Sequence, residues 1–176
     1  MQAFSMARDS HHRRQVGALA FRAAAFGDPE MLLLTSRKSE RFVIPKGWPV
    51  EGLSDAEAVA KEAYEEAGVI GKVLETRIGS YAYQKRREPS FAFVTVDVYA
   101  LEVKAQLPDW PERGLRASLW LAPKHAAQLV DEPGLMRLIR AFDARRPAPA
   151  DAPREGGSAG PILWPIPFHI AVSEEW

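Results

Sequence analysis

The apolar positions fall into two rhythms. Val16 to Phe26 is a nearly continuous apolar run broken by Arg22, and Gly27-Asp28-Pro29 ends it as a turn. Met31 to Thr35 and Phe42 to Ile44 are shorter runs of strand length, separated by polar Ser36 to Glu40 and closed by Pro45. Lys46 to Leu53, with two glycines and a proline, reads as a loop. The rhythm then changes. Ala56, Val59, Ala60, Ala63 and Ala67 recur at helical spacing, which predicts a helix over 54–67. Ser54 with Glu57 forms a capping-box pattern, and Gly68 stands where a C-terminal cap glycine belongs.

Strands are predicted near Lys72–Ile78 and Ser80–Gln84, then a charged turn over Lys85–Ser90. A long strand follows over Phe91–Val103. Both of its alternating faces are largely apolar, so the sheet is expected to be covered on both sides. Asp97, inside that strand, is expected to play a hydrogen-bonded structural part. Ser118–Leu121 suits a last short strand, and Leu135, Leu138, Ile139 and Phe142 mark a second helical stripe. Strands with interspersed helices point to a mixed sheet between helical layers.

The ends differ from this body. Residues 1–14 read as a mobile, basic lead-in. Residues 147–176 hold six of the fourteen prolines and read as a linker-like tail with an apolar patch at Ile162 to Val172. The organisation expected is one domain over 1–146 and a tail over 147–176.

Composition narrows the chemistry. The chain has 176 residues, 47% hydrophobic and 26% charged, which is globular. Lysine plus arginine and aspartate plus glutamate both number 23, so no basic surplus favours a nucleic-acid partner. The absence of cysteine excludes disulfides, thiolate metal sites and a cysteine nucleophile. The histidines, His11, His12, His125 and His169, show no metal-ligand spacing. No apolar run nears the roughly 20 residues of a membrane span, and the polar start carries no secretory signal, so the expected compartment is the cytoplasm.

Charge is locally segregated. Glu51 to Glu66 holds six acids and one base, whereas Lys85-Arg86-Arg87 is wholly basic. On the helix, Glu62, Glu65 and Glu66 share about a 100° arc. Like charges so placed repel, and a hard divalent cation with oxygen ligands would relieve them. Taken alone, such a helix is usually a solvated acidic face.

The surrounding residues change that reading. Gly47 stands at the start of the box, and Lys61-Glu62-Ala63-Tyr64-Glu65-Glu66-Ala67-Gly68-Val69 closes it. The segment resembles the signature of the Nudix hydrolases: a glycine, five residues, a glutamate, seven residues, then R-E-U-x-E-E-x-G-U with U apolar. Chance agreement at the fixed glycines and glutamates has a probability on the order of 10⁻⁴ over this length. The resemblance implies the family's α/β/α sandwich, with a mixed sheet between helices, and hydrolysis of a pyrophosphate bond with Mg2+, or Mn2+ in its place. It further implies a catalytic set of Glu65 as base, Glu62 and Lys61, with Glu62, Glu66, Glu65 and Gly47 at the metal. Two positions depart: Leu53 replaces the signature's first glutamate and Lys61 its arginine. Glu51 is near enough in sequence to stand in for the glutamate. Lysine keeps the charge but lacks the planar fork.

The basic groups match one branch, the diphosphoinositol polyphosphate phosphohydrolases, over about residues 12–145. Carried over by position, the implied substrate-binding residues are Arg13, Arg14, Gln15, Thr35, Ser36, Arg37, Arg86 and Arg87, with Lys46 and Lys85 beside them. Leu119 stands where that branch usually has a glutamate, and Lys46-Gly47-Trp48 replaces a glycine-rich run. Trp48 either packs over the helix or stacks on a base. The expected partner is a small polyphosphorylated molecule such as a diphosphoinositol polyphosphate or a dinucleoside polyphosphate. A nucleoside triphosphate, a nucleotide sugar, capped RNA and a non-catalytic binding module stay open as alternatives.

Overall fold

The computed structural model describes residues 13–24, 29–37, 39–87 and 90–142. The lead-in up to residue 12 and the expected tail over 147–176 lie outside them. Among the described residues seven strands form one mixed sheet: β1 (Arg13–Arg22), β2 (Glu30–Thr35), β3 (Phe42–Val43), β4 (Lys46–Gly47), β5 (Val69–Arg87), β6 (Ser90–Gln106) and β7 (Ser118–Leu121). The main order is β3-β2-β1-β6-β5, with β4 paired to β1 and β7 to β2. Strands β1 and β6 run parallel from Arg13↔Val94 to Phe21↔Glu102, and the other pairs are antiparallel.

The continuous apolar runs follow from burial on both faces. Val16, Ala18, Ala20, Leu32, Leu34, Tyr99 and Leu101 face helix α1 (Asp55–Ala67). Their alternates Leu19, Met31, Leu33, Val96 and Val98 face α2 (Pro123–Leu129) and α3 (Pro133–Ala141). The result is the expected α/β/α sandwich. Among the described residues no helix is long and apolar enough to cross a membrane.

Helix α1 carries the predicted caps. Ser54 Oγ accepts from Glu57 N at 3.3 Å, and Glu57 Oε2 accepts from Ser54 N at 2.7 Å. Gly68 is left-handed at φ 68°, and a Cβ there would lie 2.5 Å from the Trp110 ring. The glycine therefore both ends the helix and admits the indole.

Several expectations need correction. The two stretches expected around Gly79 are one strand, β5, whose pairing with β6 shifts register between Val73 and Gly79. Irregular pairing lets one long strand bend where the sequence suggests two. Lys85-Arg86-Arg87 is not a turn: Lys85 pairs with Ala92, Arg86 with Phe91 and Arg87 with Ser90. Only residues 88–89 of the expected turn lie between the strands. Arg13 and Arg14 belong to β1 and not to a lead-in, and Lys46-Gly47 is a short strand inside the expected loop. Helix α2 has no sequence-based expectation, being seven residues long.

Candidate active site

Strand β4 lies against α1 and brings the start of the box to its end. The fit is close at one point: a Cβ on Gly47 would stand 2.0 Å from Glu62 Cδ and Oε1. Only glycine leaves the Glu62 carboxylate where it stands, because that carboxylate occupies the space of the missing side chain. One residue earlier, Lys46 N donates to Glu66 Oε2 at 3.0 Å. The backbone of the box thus touches two of the three glutamates.

The repulsion expected on the helix is resolved by cations from two sources. Lys61 pairs with Glu65 one turn along α1. Arg116, on the approach to β7 and itself 6% exposed at its side chain, pairs with Glu66 Oε1. Glu62 has neither a hydrogen bond nor an ion pair among the described residues. Burial, and then the nearby Glu66 charge, push its carboxyl up to about 7. Burial also raises Glu66, opposed by Arg116 and Lys46.

Among the described residues no group of three or more His, Cys, Asp or Glu side chains is placed to hold a metal ion. The donors nevertheless suit a hard divalent cation: carboxylate oxygens beside a backbone strand, with Glu62 half-buried and, among the described residues, unpaired. Each Glu66 oxygen accepts one donor here and retains a further lone pair. Glu62 and Glu66 would hold the ion, with Glu65 and the Gly47 backbone adjoining.

A stability test follows from Glu62. The unfolded carboxyl gives up its proton near 4.5, the folded one near 7. Between those values the folded state binds more proton, so unfolding free energy falls as pH rises. Glu62→Gln is therefore expected to stabilise the metal-free protein at pH 8 and to change little at pH 4. Allowing for the solvent that reaches this group, the gain is about 1 kcal/mol. Thermal melts across that range check it, and parallel curves for the two proteins would contradict it.

The expected substrate residues divide into three sets. Gln15 Oε1 accepts from Tyr83 OH at 2.8 Å, Lys46 Nζ lies 5.8 Å from the Tyr83 ring centroid, and Lys85 Nζ lies 5.2 Å from that of Trp48. Burial lowers the Lys46 ammonium, opposed by Glu66. Trp48 is 38% exposed, beside a cation.

The second set is tied to the glutamates. Thr35 Oγ1 accepts from Ala117 N at 2.9 Å, and Thr35 O accepts from Arg116 Nη1 at 3.3 Å. Arg37 Nη1 lies 3.2 Å from Glu112 Oε1, and Arg116 Nε donates to Glu112 Oε2 at 2.8 Å. Ser36 Oγ bonds Ser39 Oγ at 2.5 Å within the turn.

The third set is Arg14, which is committed to protein carboxylates. Its Nε donates to Asp97 Oδ2 at 2.7 Å and its Nη1 to Asp55 Oδ1 at 3.0 Å. Arg77 Nη1 and Tyr99 OH complete the network on Asp97 and Asp55, at 2.7 Å each. Asp97 is structural, as its setting in an apolar strand suggests. Arg14 ties β1 and β6 to the start of α1, and its guanidinium holds the Asp55 carboxyl below its ordinary value. Arg13 is half-buried on β1. The side chains of Arg86 and Arg87 lie outside those described.

Sequence reasoning missed Arg116, Glu112, Asp55 and Arg77. Asp55 sits in a helix first turn, where acids are common for other reasons. Arg116 meets Glu66 across fifty residues, and no local pattern announces such a pair. Glu51, considered as a substitute for the missing glutamate, sits in an exposed turn and makes no ion pair among the described residues.

The family model for the NUDIX domain matches residues 11–142. The chain belongs to the NUDIX domain family. It is 31% identical over 117 residues to Nudix hydrolase 12, mitochondrial, of Arabidopsis thaliana, covering 64% of this chain and 58% of that one. It is 31% identical over 100 residues to diphosphoinositol polyphosphate phosphohydrolase 2 of Rattus norvegicus, covering 57% and 51%. The chain spans about six-tenths of the length of the first of these relatives and half of the other. Among solved structures, a C. elegans Ap4A hydrolase binary complex superposes with a TM-score of 0.54 at 20% identity, covering 73% of this chain and 93% of that one. That likeness supports the fold.

Proposed function

We propose that this protein hydrolyses a phosphoanhydride bond in a polyphosphorylated small molecule, using Mg2+ or, in its place, Mn2+. The observation that carries the reading is the interlock of Gly47 with the unpaired Glu62 carboxylate, beside Glu66 held by the Lys46 amide. It brings the Glu62 and Glu66 carboxylates together against the backbone of β4. Such an anionic site repels phosphate unless a cation intervenes. A bound divalent ion supplies Lewis-acid neutralisation of the charge that develops on the pyrophosphate oxygens.

The chain's own residues do the rest. Glu62 and Glu66 hold the ion, and Glu65 takes the proton of the attacking water. Among the described residues its Oε1 has no hydrogen-bond partner, since Lys61 engages Oε2. Arg13, Arg37, Lys46, Lys85, Arg86 and Arg87 are the cations that would bind the remaining phosphates. The substrate class is a dinucleoside polyphosphate or a diphosphoinositol polyphosphate. The rat relative and the C. elegans structure, whose names state such substrates, support that choice. Cytoplasmic residence belongs to the same proposal, and cell fractionation tests it.

The deciding experiment is a phosphate-release panel over diphosphoinositol, dinucleoside and nucleoside polyphosphates, with and without magnesium. Expected is metal-dependent turnover, fastest on the first two classes. Fastest turnover on nucleoside triphosphates would move the substrate class. No release from any of them would leave a binding module.

A further inference from the structure

We infer that Arg116 is the positioning residue of this site, acting through Glu66. The inference rests on the proposed hydrolysis and adds a residue to it. Three observations converge. First, Lys61, the one cation within α1, is committed to Glu65 and leaves Glu66 without a counter-charge from its own helix. Second, Arg116 supplies that charge from outside. Its three guanidinium nitrogens have three different partners: Nη2 with Glu66 Oε1, Nε with Glu112 Oε2, and Nη1 with Thr35 O. A planar fork with every nitrogen engaged can rotate little. Third, the approach segment is itself fastened to the end of α1. Glu112 N donates to Glu65 O at 3.0 Å, and Trp110 covers Gly68.

The consequence is geometric. Glu66 is held between two fixed donors, Arg116 on Oε1 and the Lys46 amide on Oε2. Its carboxylate plane is thereby set before any cation arrives, and preorganisation of this kind lowers the reorganisation needed for chemistry. The same fork reaches Arg37 through Glu112. A phosphate drawn to Arg37 and a cation held at Glu66 would then meet at a spacing fixed by one salt-bridged chain, Arg37–Glu112–Arg116–Glu66.

The test uses Arg116→Gln, Arg116→Lys, Glu66→Gln and the double variant Arg116→Gln/Glu66→Gln in the full chain. Two readouts are needed. One is amide hydrogen exchange of the metal-free protein. Exchange at Lys46 N is expected to quicken by about tenfold or more in Arg116→Gln, while the amides of Val96 and Val98 in β6 stay protected. The other is steady-state kinetics on the substrate the panel selects, with loss expected in kcat more than in KM and partial retention in Arg116→Lys. If Arg116 acts through Glu66, adding Arg116→Gln to Glu66→Gln costs little further.

Unchanged Lys46 exchange with unchanged kcat would overturn the inference. So would a full additional loss in the double variant, or loosening spread equally to β6. Should Arg116→Gln fail to fold, the double variant, in which no buried charge is orphaned, and Arg116→Lys still decide it. An inactive wild type would count against the hydrolase reading alone, because the exchange result does not depend on turnover.

Discussion

Gly47→Ala is expected to lower kcat by at least about 10²-fold while moving the melting temperature little. The added methyl would fall 2.0 Å from Glu62 Cδ and Oε1 and 2.3 Å from Oε2. No arrangement keeps both in place. What yields is the far end of a flexible side chain and not backbone, so the fold gives way cheaply. Burial is moreover unfavourable for the Glu62 carboxylate and pushes it up to about 7. Turning it toward solvent relieves that cost. Chemistry has no such alternative, since a metal ligand must stay where the ion is bound. Disturbing the surroundings of metal ligands commonly costs 10- to 100-fold, and expelling the ligand costs at least the upper figure. The check is kcat beside a thermal melt, with Mn2+ titration as a third measure. A stable Gly47→Ala enzyme with normal turnover would show that Glu62 does not serve where it stands.

Glu65→Gln is expected to lower kcat by roughly 10²- to 10⁴-fold, the range for loss of a general base. The amide preserves shape and cannot take a proton. About a third of the Glu65 side chain is exposed, so its replacement should leave the melting temperature nearly unchanged. Steady-state kinetics separate the roles, because a base changes turnover at saturation and a binding group changes KM. A rise in KM alone would pass the role of base to Glu62. Glu62 is the one unpaired carboxylate of the trio among the described residues.

How much was legible depended on the range of each interaction. Helix α1 could be read almost residue by residue, caps included, because its determinants lie within a turn of one another. The two-sided burial of β1, β2 and β6 could be read as well, since a strand covered on both faces shows an unbroken apolar run. Local spacing also announced the grouping of Glu62, Glu65 and Glu66, with Gly47 before them.

Other features were set only by assembly. The charged segment Lys85–Arg87 looks like a turn by composition, yet pairing with β6 carries it into the sheet. Backbone hydrogen bonds of a ladder outweigh the weak preference of those side chains. Arg14 has the credentials of a phosphate ligand in sequence, but its partners Asp55 and Asp97 come from a helix and a strand far along the chain. The same holds for Arg116. The sequence by itself determined which carboxylates form the cluster, because helical periodicity is a local property. Only the tertiary structure decided which cations answer them: ion pairs form wherever packing brings opposite charges together, and distance along the chain does not limit them.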